Sequence, residues 1–342
     1  MTWLSDAAVE RLREAADSPD LTATRYRLVS RIGRGGMGAV FLAEDQTLGR
    51  RVALKVLDVP DDAGNLAARL LREARILAAL EHPGIVPVHD AGTLPDGRVF
   101  YAMKYVEGSR LDEHARALEA TPDRLRIFQK ICDAVAFAHS RGVLHRDLKP
   151  ENIMVGPFGE VLVMDWGVAK ILREAPGGAA APDPLLAGAS NEATAANEPA
   201  RRGGPASPDT RDGAVIGTPG YMSPEQARGE TASLNEWSDV YALGMILRFL
   251  LEGGAAASGD RIAAPLAAVC SKATHADPAG RYGSVAALAA DVARYLDGQP
   301  LEAYPDTLFR RARRIFERHQ LVIWLVLTYL VTRVLLIFFA RH

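Results

Sequence analysis

The spacing of apolar residues divides the chain into a first part typical of strands and a longer part typical of helices. Three short runs in which apolar residues are dense predict antiparallel strands at 26–29, 39–43 and 51–57. Residues 66–80 instead carry apolar side chains three and four positions apart among Arg and Glu. This spacing predicts a helix, which the His-Pro-Gly at 82–84 ends.

Two further strands are predicted near 85–88 and at 99–103, and helical spacing dominates after Gly108, notably over 124–140 and 237–251. Strands grouped ahead of helices are typical of α+β proteins. We therefore expect an α+β, bilobal domain over 25–300, with a β-rich lobe at 25–105 and a helical lobe at 106–300.

Two segments differ in composition from the rest of the chain. Residues 1–24 alternate charged positions with short apolar steps, which predicts a short helix or tail and argues against a signal peptide. Residues 173–213 are rich in Ala, Gly, Pro, Asn and Ser and contain no aromatic residue. Because such a segment buries too little apolar surface to offset the entropy of ordering, it is predicted to be a disordered insertion.

The last forty residues have the pattern of a membrane anchor. Residues 301–320 form a basic segment with five arginines, and 321–340 are apolar except for Thr328, Thr332 and Arg333. Twenty residues at ~1.5 Å each make a helix of about 30 Å, which matches the hydrocarbon core of a bilayer. This predicts a single transmembrane helix with the arginine-rich side in the cytoplasm. A buried core helix is the alternative.

Composition and charge exclude several classes of protein. The 48% of apolar residues can fill one or two sizeable cores. Forty Lys and Arg against 42 Asp and Glu leave a net charge of -2, so no basic field exists to attract nucleic acid. Cys132 and Cys270 are the only cysteines, and they lie far apart. Neither a disulfide framework nor a zinc site is indicated.

A glycine-rich motif, Gly33-Arg34-Gly35-Gly36-Met37-Gly38, has the spacing G-x-G-x-x-G. This spacing alone is a weak signal, because dinucleotide sites and other phosphate sites share it. A dinucleotide site needs a helix directly after the glycines, whereas a strand is predicted there. A glycine hairpin over phosphates fits better. Lys55 on the third strand could present its ammonium to the α- and β-phosphates, with Glu73 on the next helix as its partner.

The most specific pattern lies in the second half of the chain. The run HRDLKPEN occupies 145–152, and Asp165-Trp166-Gly167 follows thirteen residues after Asn152. With these motifs the chain resembles the protein kinase superfamily. The resemblance implies that Asp147 accepts or orients the proton of the substrate hydroxyl and that Lys149 reaches the γ-phosphate. It also implies that Asn152 and Asp165 hold Mg²⁺.

The resemblance extends from about residue 26 to about residue 296. Residues 217–225 resemble the end of an activation segment, with Glu225 as the expected partner of Arg281, and Asp239 resembles the aspartate that anchors the catalytic loop. Lys149 and Thr218 are typical of the serine/threonine branch. The Pro-Glu-Gln at 224–226 is typical of the bacterial Hanks-type, eukaryotic-like kinases.

An ATP site between the lobes follows from the same resemblance. Val40 and Ala53 are expected to form the roof of the adenine pocket, Met154 its floor, and Met103 the gatekeeper. For these apolar positions, ordinary core packing is a strong alternative. The full set expected to bind ATP, including main-chain groups of the hinge at Lys104 and Val106, is Ile32, Gly33, Gly35, Gly36, Gly38, Val40, Ala53, Lys55, Met103, Lys104, Val106 and Met154.

The resemblance also implies cofactors, partners and regulation. ATP and Mg²⁺, with Mn²⁺ as an alternative metal, would serve phosphoryl transfer to Ser/Thr hydroxyls of proteins in membrane-associated signalling. A homodimer would allow autophosphorylation in trans. Arg146 is expected to pair with a phosphorylated residue of the activation segment. Of the candidates Ser207, Thr210 and Thr218, Thr210 is the expected phosphosite, while Thr218 is expected to contact the catalytic loop.

Three functions remain open from sequence: an active protein kinase, a nucleotide-binding pseudokinase that acts as a scaffold, and a phosphotransferase for small molecules. Pseudokinases typically lack one of the key residues, all of which are present here. Small-molecule enzymes usually lack the segment found at 217–225. Trp166 replaces the commoner Phe, and 252–263 is short and rich in Gly and Ala where relatives have a substrate-docking helix. Docking of protein substrates is therefore the least defined part of this interpretation.

Overall fold

The computed structural model of the chain describes residues 18–35, 38–57, 65–118, 120–166, 170–171, 220–230, 234–258, 261–305 and 324–333. The insertion expected at 173–213, the phosphosite expected at Thr210 and the contact expected from Thr218 lie outside these residues. Most of the predicted N-terminal helix or tail also lies outside them. The same holds for most of the basic segment at 301–320.

The smaller lobe is an antiparallel sheet of five strands in the order β1-β2-β3-β5-β4. The sequence predicts five strands here but not their order. One helix, α1, follows β3 in the chain and contacts β5 and β4. Leu70, Ala74 and Leu77 recur along α1 at spacings of four and three, and all are buried. The element bounds are β1 Tyr26–Gly35, β2 Gly38–Asp45, β3 Arg50–Leu57, α1 Asn65–Ala79, β4 Val88–Thr93 and β5 Val99–Lys104.

The strand predicted near 85–88 is wrong in position, because β4 begins where that run ends. Pro87 lacks an N–H and cannot join a ladder as a donor. Ile85 makes only a single parallel bridge, to Val163 of the larger lobe. The polar run His89 to Thr93 forms β4 instead, at the edge of the sheet, where a strand needs no apolar alternation.

The larger lobe is helical, with two small sheets on the side that faces the cleft. Helix α3 contacts α5 and α7, and its buried residues form the centre of this lobe. The small sheets pair β6 with β8 and β9, and β10 with β7. The bounds are β6 Ser109–Arg110, α2 Leu111–His114, α3 Thr121–Ser140, β7 Val143–Leu144, β8 Ile153–Val155, β9 Val161–Val163, β10 Lys170–Ile171, α4 Pro224–Ala227, α5 Glu236–Ser258, α6 Ala264–Ala273 and α7 Val285–Leu296.

Two parts of this lobe were not predicted. The short strands β6 to β10 carry too few residues for a periodic signal. Helix α5 continues to Ser258, seven residues past the predicted end, so part of the Gly/Ala-rich stretch at 252–263 is helical. The high helix propensity of the alanines at 255–257 offsets the low propensity of Gly253 and Gly254.

The C-terminal run contains a described helix at 324–333, in which every side chain is exposed. Over the residues that the structure describes, no helix combines the length and apolar character needed to cross a bilayer. The rest of the run predicted to span the membrane, 321–323 and 334–340, lies outside those residues.

Candidate active site

A largely buried lysine, with 12% of its side chain exposed, joins three elements of the structure. The Lys55 Nζ on β3 lies 2.8 and 3.0 Å from the two carboxylate oxygens of Glu73, which is on α1. The same nitrogen lies 3.1 Å from Oδ1 of Asp165. One ammonium group therefore ties the sheet, the helix and the Asp-Trp-Gly segment together.

Lys55 and Asp165 stabilise each other in their charged forms. Burial alone would lower the pKa of Lys55, but the neighbouring Glu73 and Asp165 carboxylates raise that pKa above its ordinary value. For Asp165, burial raises the pKa, and the Lys55 ammonium outweighs it, so the pKa lies below its ordinary value. Asp165 still has 49% of its side chain exposed, so its carboxylate is accessible from the cleft.

The catalytic loop expected at 145–152 brings a carboxylate, an ammonium and an amide together. Oδ2 of Asp147 lies 2.9 Å from Nζ of Lys149. Nδ2 of Asn152 donates to the main-chain oxygen of Asp147 at 2.9 Å and to its Oδ2 at 3.2 Å. Since the amide nitrogen of Asn152 makes both bonds, its side-chain oxygen is the atom suited to be a metal ligand.

Two residues of the site have a left-handed backbone that non-glycine residues rarely adopt, Arg146 with φ 71° and Asp165 with φ 57°. Around Arg146 the chain is held on both sides. The buried Asp239 of α5 accepts the N–H groups of His145 and Arg146, both at 2.9 Å, and Gln226 donates Nε2 to the carbonyl of Arg146 at 2.8 Å. These bonds stabilise the unusual conformation directly before Asp147.

The Asp239 carboxylate remains charged although it is fully buried. Burial raises its pKa, but hydrogen bonds from the His139 side chain at 2.8 Å and from the catalytic-loop backbone lower the pKa below its ordinary value. The resemblance had assigned Asp239 this anchoring contact, and the contact is present. His139 is a partner of Asp239 that sequence reasoning missed, because it lies 100 residues away on α3.

The loop that carries Asp165 is fixed against the catalytic loop through Met164. The main-chain N–H of Met164 donates to the carbonyl of Asn152 at 2.8 Å, and Nε2 of His145 donates to the carbonyl of Met164 at 3.0 Å. The Trp166 ring is buried, lies 4.6 Å from the His145 ring and donates Nε1 to the carbonyl of Val163. Trp166 thus fills its core position and leaves the Asp165 carboxylate facing the cleft.

The oxygen donors fit a hard divalent cation. Asn152 offers an amide oxygen, and Asp165 offers a carboxylate of lowered pKa. In the described ranges no cluster of three His, Cys, Asp or Glu side chains could hold a metal by itself. Mg²⁺ is typically bound by one or two carboxylates together with phosphate oxygens and waters, so a small protein donor set suits it.

The register of the sheet lines up the residues expected in the nucleotide pocket. Ala53 of β3 is directly opposite Met103 of β5, and Lys55 is directly opposite Val40 of β2. Residues 53 and 55 share one face of β3 because side chains alternate along a strand. Ala53, Met103 and Val106 are buried, while Val40 and Met154 are partly buried against the core.

The predicted hinge lies at the end of β5, and the described glycines of the predicted hairpin lie in β1 and β2. The N–H of Lys104 donates to the carbonyl of Pro87 at 3.0 Å, so its carbonyl remains the group suited to adenine. Ile32 is 46% exposed on β1. Gly35 and Gly38 are paired across the β1-β2 turn, and a Cβ on Gly38 would lie 2.1 Å from the carbonyl oxygen of Val56. A strand follows the glycines, as predicted, while Gly36 lies outside the described residues.

Known proteins resemble this chain in sequence and in fold. Residues 26–186 match the protein kinase domain family. The serine/threonine-protein kinase PknD of Chlamydia caviae is 36% identical over 332 residues, which are 86% of this chain and 34% of PknD. PknD of Chlamydia trachomatis serovar D is 38% identical over 326 residues, 84% of this chain and 33% of PknD.

A solved structure agrees with the sequence comparison. The PknI kinase domain of Mycobacterium tuberculosis superposes with a TM-score of 0.54 at 26% identity, covering 79% of this chain and 96% of that domain. This chain contains a serine/threonine protein kinase domain. The prediction of a bilobal, bacterial Hanks-type serine/threonine kinase is therefore confirmed. The chain spans about a third of the length of its PknD relatives.

The kinase domain also contains the ion pair expected at the end of the activation segment. Arg281 donates to both carboxylate oxygens of Glu225, at 2.7 and 2.8 Å, and its side chain is fully buried. Further bonds from Arg281 reach the carbonyls of His275 and Trp237, so the buried guanidinium is well satisfied. This pair fixes the turn at 223–226 to the segment that precedes α7.

Sequence reasoning missed two functional contacts of the kinase. Gln226 was noted as a mark of the bacterial branch, but its bond to the catalytic loop was not foreseen. Tyr101 was treated as an ordinary strand residue, yet its hydroxyl donates to Glu73. A usable signal existed for Tyr101, since it lies two residues before the gatekeeper and alternation places it on the same face.

Proposed function

We propose that this kinase is active and transfers the γ-phosphate of ATP to Ser/Thr hydroxyls of proteins, itself included. The observation that carries the proposal is the assembled set of charges: Lys55 contacts both Glu73 and Asp165, while Asp147 lies beside Lys149 and Asn152. A pseudokinase scaffold has no need to keep this arrangement of buried and strained groups.

Each residue has a distinct role in the proposed reaction. Lys55 holds the α- and β-phosphates, with its own position fixed by Glu73. Asn152 and Asp165 would hold the divalent cation, Mg²⁺ by preference, whose charge offsets that of the phosphates when it is bound. Main-chain groups of Lys104 and Val106 would orient the adenine.

The transfer itself needs one proton acceptor and one cation near the moving phosphoryl group. The substrate hydroxyl oxygen forms a bond to the γ-phosphorus as the bond to the β,γ-bridging oxygen breaks, and the hydroxyl proton passes to Asp147. Lys149, 2.9 Å from Asp147, is placed to stabilise the charge on the γ-phosphoryl oxygens. ADP and the phosphorylated protein are the products.

Asp147→Asn tests this assignment. The amide cannot accept the proton, so phosphorylation of a generic protein such as casein should fall by about 10²-fold or more. Nucleotide affinity, measured by calorimetry with ADP and Mg²⁺, should stay within about twofold, because Asp147 does not hold nucleotide. If Asp147→Asn phosphorylated casein at the wild-type rate, Asp147 would be excluded as the proton acceptor.

Regulation by the activation segment remains a prediction. Arg146 is buried beside Asp147, at the position from which an arginine can pair with a phosphate. Thr210 is the proposed phosphosite, and trans-autophosphorylation in a homodimer is the proposed route. Activity that is unchanged after Ser207 and Thr210 are both replaced by Ala would contradict this switch.

The proposal includes a membrane anchor at 321–340. In the described helix at 324–333 large apolar side chains are exposed, among them Trp324, Leu325 and Leu330. A contiguous exposed apolar surface marks a partner or a membrane. The hydroxyls of Thr328 and Thr332 donate to carbonyls four residues earlier, at 2.8 and 2.7 Å, so both polar groups are satisfied within the helix. That arrangement suits a helix in lipid.

A further inference from the structure

A tyrosine lies behind the gatekeeper, against the lysine–glutamate pair of the active site. Tyr101 of β5 is directly opposite Lys55 of β3 in the antiparallel register, so both side chains point toward α1. The Tyr101 hydroxyl donates to Oε1 of Glu73 at 2.7 Å. Its ring centre lies 5.8 Å from the Lys55 Nζ. Tyr101 therefore contacts both members of the pair.

Burial makes the hydrogen bond from the Tyr101 hydroxyl to Glu73 difficult to replace. Tyr101 and Glu73 are each 2% exposed, so neither can exchange its partner for water. Burial, together with the Glu73 carboxylate, keeps the pKa of Tyr101 well above its ordinary value, so the hydroxyl stays protonated and remains a donor. A hydrogen bond to a charged acceptor in such a setting is among the strong ones.

We propose that Tyr101 is a positioning residue that holds α1 and Glu73 in the arrangement needed for catalysis. The inference rests on the proposed kinase activity. Lys55 can follow Glu73 or turn toward Asp165, because its chain is flexible. Tyr101 cannot follow a movement of Glu73, because its buried ring is held in place on β5.

The energetic consequence is a bias toward the assembled site. If α1 moved away and took Glu73 with it, the Tyr101 hydroxyl would remain buried without the acceptor it now has. Leaving a buried donor unsatisfied is costly, so the hydroxyl disfavours the state in which Lys55 and Glu73 are apart. Such a bias shifts the population of the two states without any contact to substrate.

The test is Tyr101→Phe, which removes one oxygen and keeps the ring. We expect kcat to fall about tenfold, the factor that corresponds to one strong hydrogen bond, with a smaller change in KM for ATP. In a Glu73→Leu background, which lacks the acceptor for the Tyr101 hydroxyl, the same substitution should change kcat less than about twofold, since the two residues act as a unit. If Tyr101→Phe lowered kcat by the same factor in the wild type and in the Glu73 variant, the proposal would be overturned.

Tyr282→Phe is the matched control. Tyr282 is 1% exposed and donates to the buried Asp291 carboxylate at 2.8 Å, but it lies in the helical lobe, away from the Lys55–Glu73 pair. This variant should lose stability to a similar extent as Tyr101→Phe and keep its kcat. If both variants lost activity equally, Tyr101 would have only a structural role.

Hydrogen exchange provides a readout that does not depend on activity. In Tyr101→Phe the amides of α1, Asn65–Ala79, should exchange about tenfold faster than in the wild type, whereas Tyr282→Phe should leave them unchanged. Unchanged exchange in α1 would overturn the positioning role. If wild-type protein showed no turnover but α1 responded as expected, the proposed activity would fail and the positioning role would stand.

Discussion

At the scale of single residues, two non-glycine residues with left-handed backbone conformations, Arg146 and Asp165, lie in the proposed active site. Left-handed conformations at Arg146 and Asp165 cost on the order of 1–3 kcal/mol each and persist only where surrounding contacts enforce them. Three buried hydrogen bonds do so around Arg146: Asp239 accepts two of them and Gln226 donates one. The position of Asp147 therefore depends on residues that never meet the substrate.

Gln226→Ala tests this dependence. The carbonyl of Arg146 would lose its donor, so we expect kcat to fall about tenfold and the free energy of unfolding to drop by about 1–3 kcal/mol. ATP affinity should stay near the wild-type value, since Gln226 is remote from the adenine pocket. Gln299→Ala, at an exposed position, is the control and should change neither quantity. Wild-type kcat in Gln226→Ala would show that the loop holds its geometry without this bond.

At the scale of elements, the buried Glu225–Arg281 pair links α4 to the segment before α7. Ser238 of α5 also donates to Glu225, at 3.0 Å, so three elements meet at one carboxylate. Burial raises the pKa of Glu225, but the bonds from Arg281 and the neighbouring groups outweigh it and lower the pKa to about 2. Breaking a buried pair on one side leaves the other charge uncompensated.

Glu225→Gln should therefore lower the free energy of unfolding by about 3 kcal/mol at pH 7 in urea titrations. Because the folded-state pKa lies below the unfolded value, the stabilisation is complete above about pH 4.5 and is lost as the pH falls toward about 2. The difference in the free energy of unfolding between the wild type and Glu225→Gln should therefore narrow as the pH falls through that range. Glu230→Gln, in the exposed pair with Arg228, should leave stability unchanged. A difference in stability that did not depend on pH would contradict the role given to the charge of Glu225.

Sequence patterns predicted elements well where periodicity or motif spacing was strong. The helix at 66–80 and the glycine hairpin were predicted closely, because their residues carry local signals. The fourth strand was misplaced, since its pairing is set by β5 and not by its own polar residues. Strand alternation places Tyr101 on the face of the gatekeeper, but its contact with Glu73, 28 residues away, is set by the fold. The contact of Gln226 with Arg146, 80 residues away, is likewise set by the fold.

At the scale of the whole molecule, the proposed anchor would join the kinase domain to a membrane through the C-terminal run. The start of that connection is anchored, because the buried Asp291 of α7 accepts the N–H groups of Glu302 and Ala303, at 2.8 and 2.9 Å. Leu301 is buried beside them. The chain is therefore fixed to α7 at residues 302 and 303.

Fractionation of cells tests the anchor. The full chain should sediment with membranes and resist a carbonate wash, whereas a version that ends at Glu317 should be released, because it lacks the apolar run. A full-length Leu325→Glu, Leu330→Glu variant keeps the chain length and should also be released, since charged side chains at membrane depth oppose insertion. Full-length wild-type protein that washes off like a peripheral protein would contradict the anchor and leave the kinase domain unaffected.

The most direct test of the proposed activity is phosphosite mapping by mass spectrometry after purified protein is incubated with ATP and Mg²⁺. The account predicts new phosphates on Ser and Thr residues of the chain and of added casein, none on Tyr, and none in an Asp147→Asn sample treated in parallel. Phosphotyrosine would contradict the serine/threonine assignment. An unmodified wild-type sample in which ADP binding is intact would contradict the central claim and favour a nucleotide-binding scaffold.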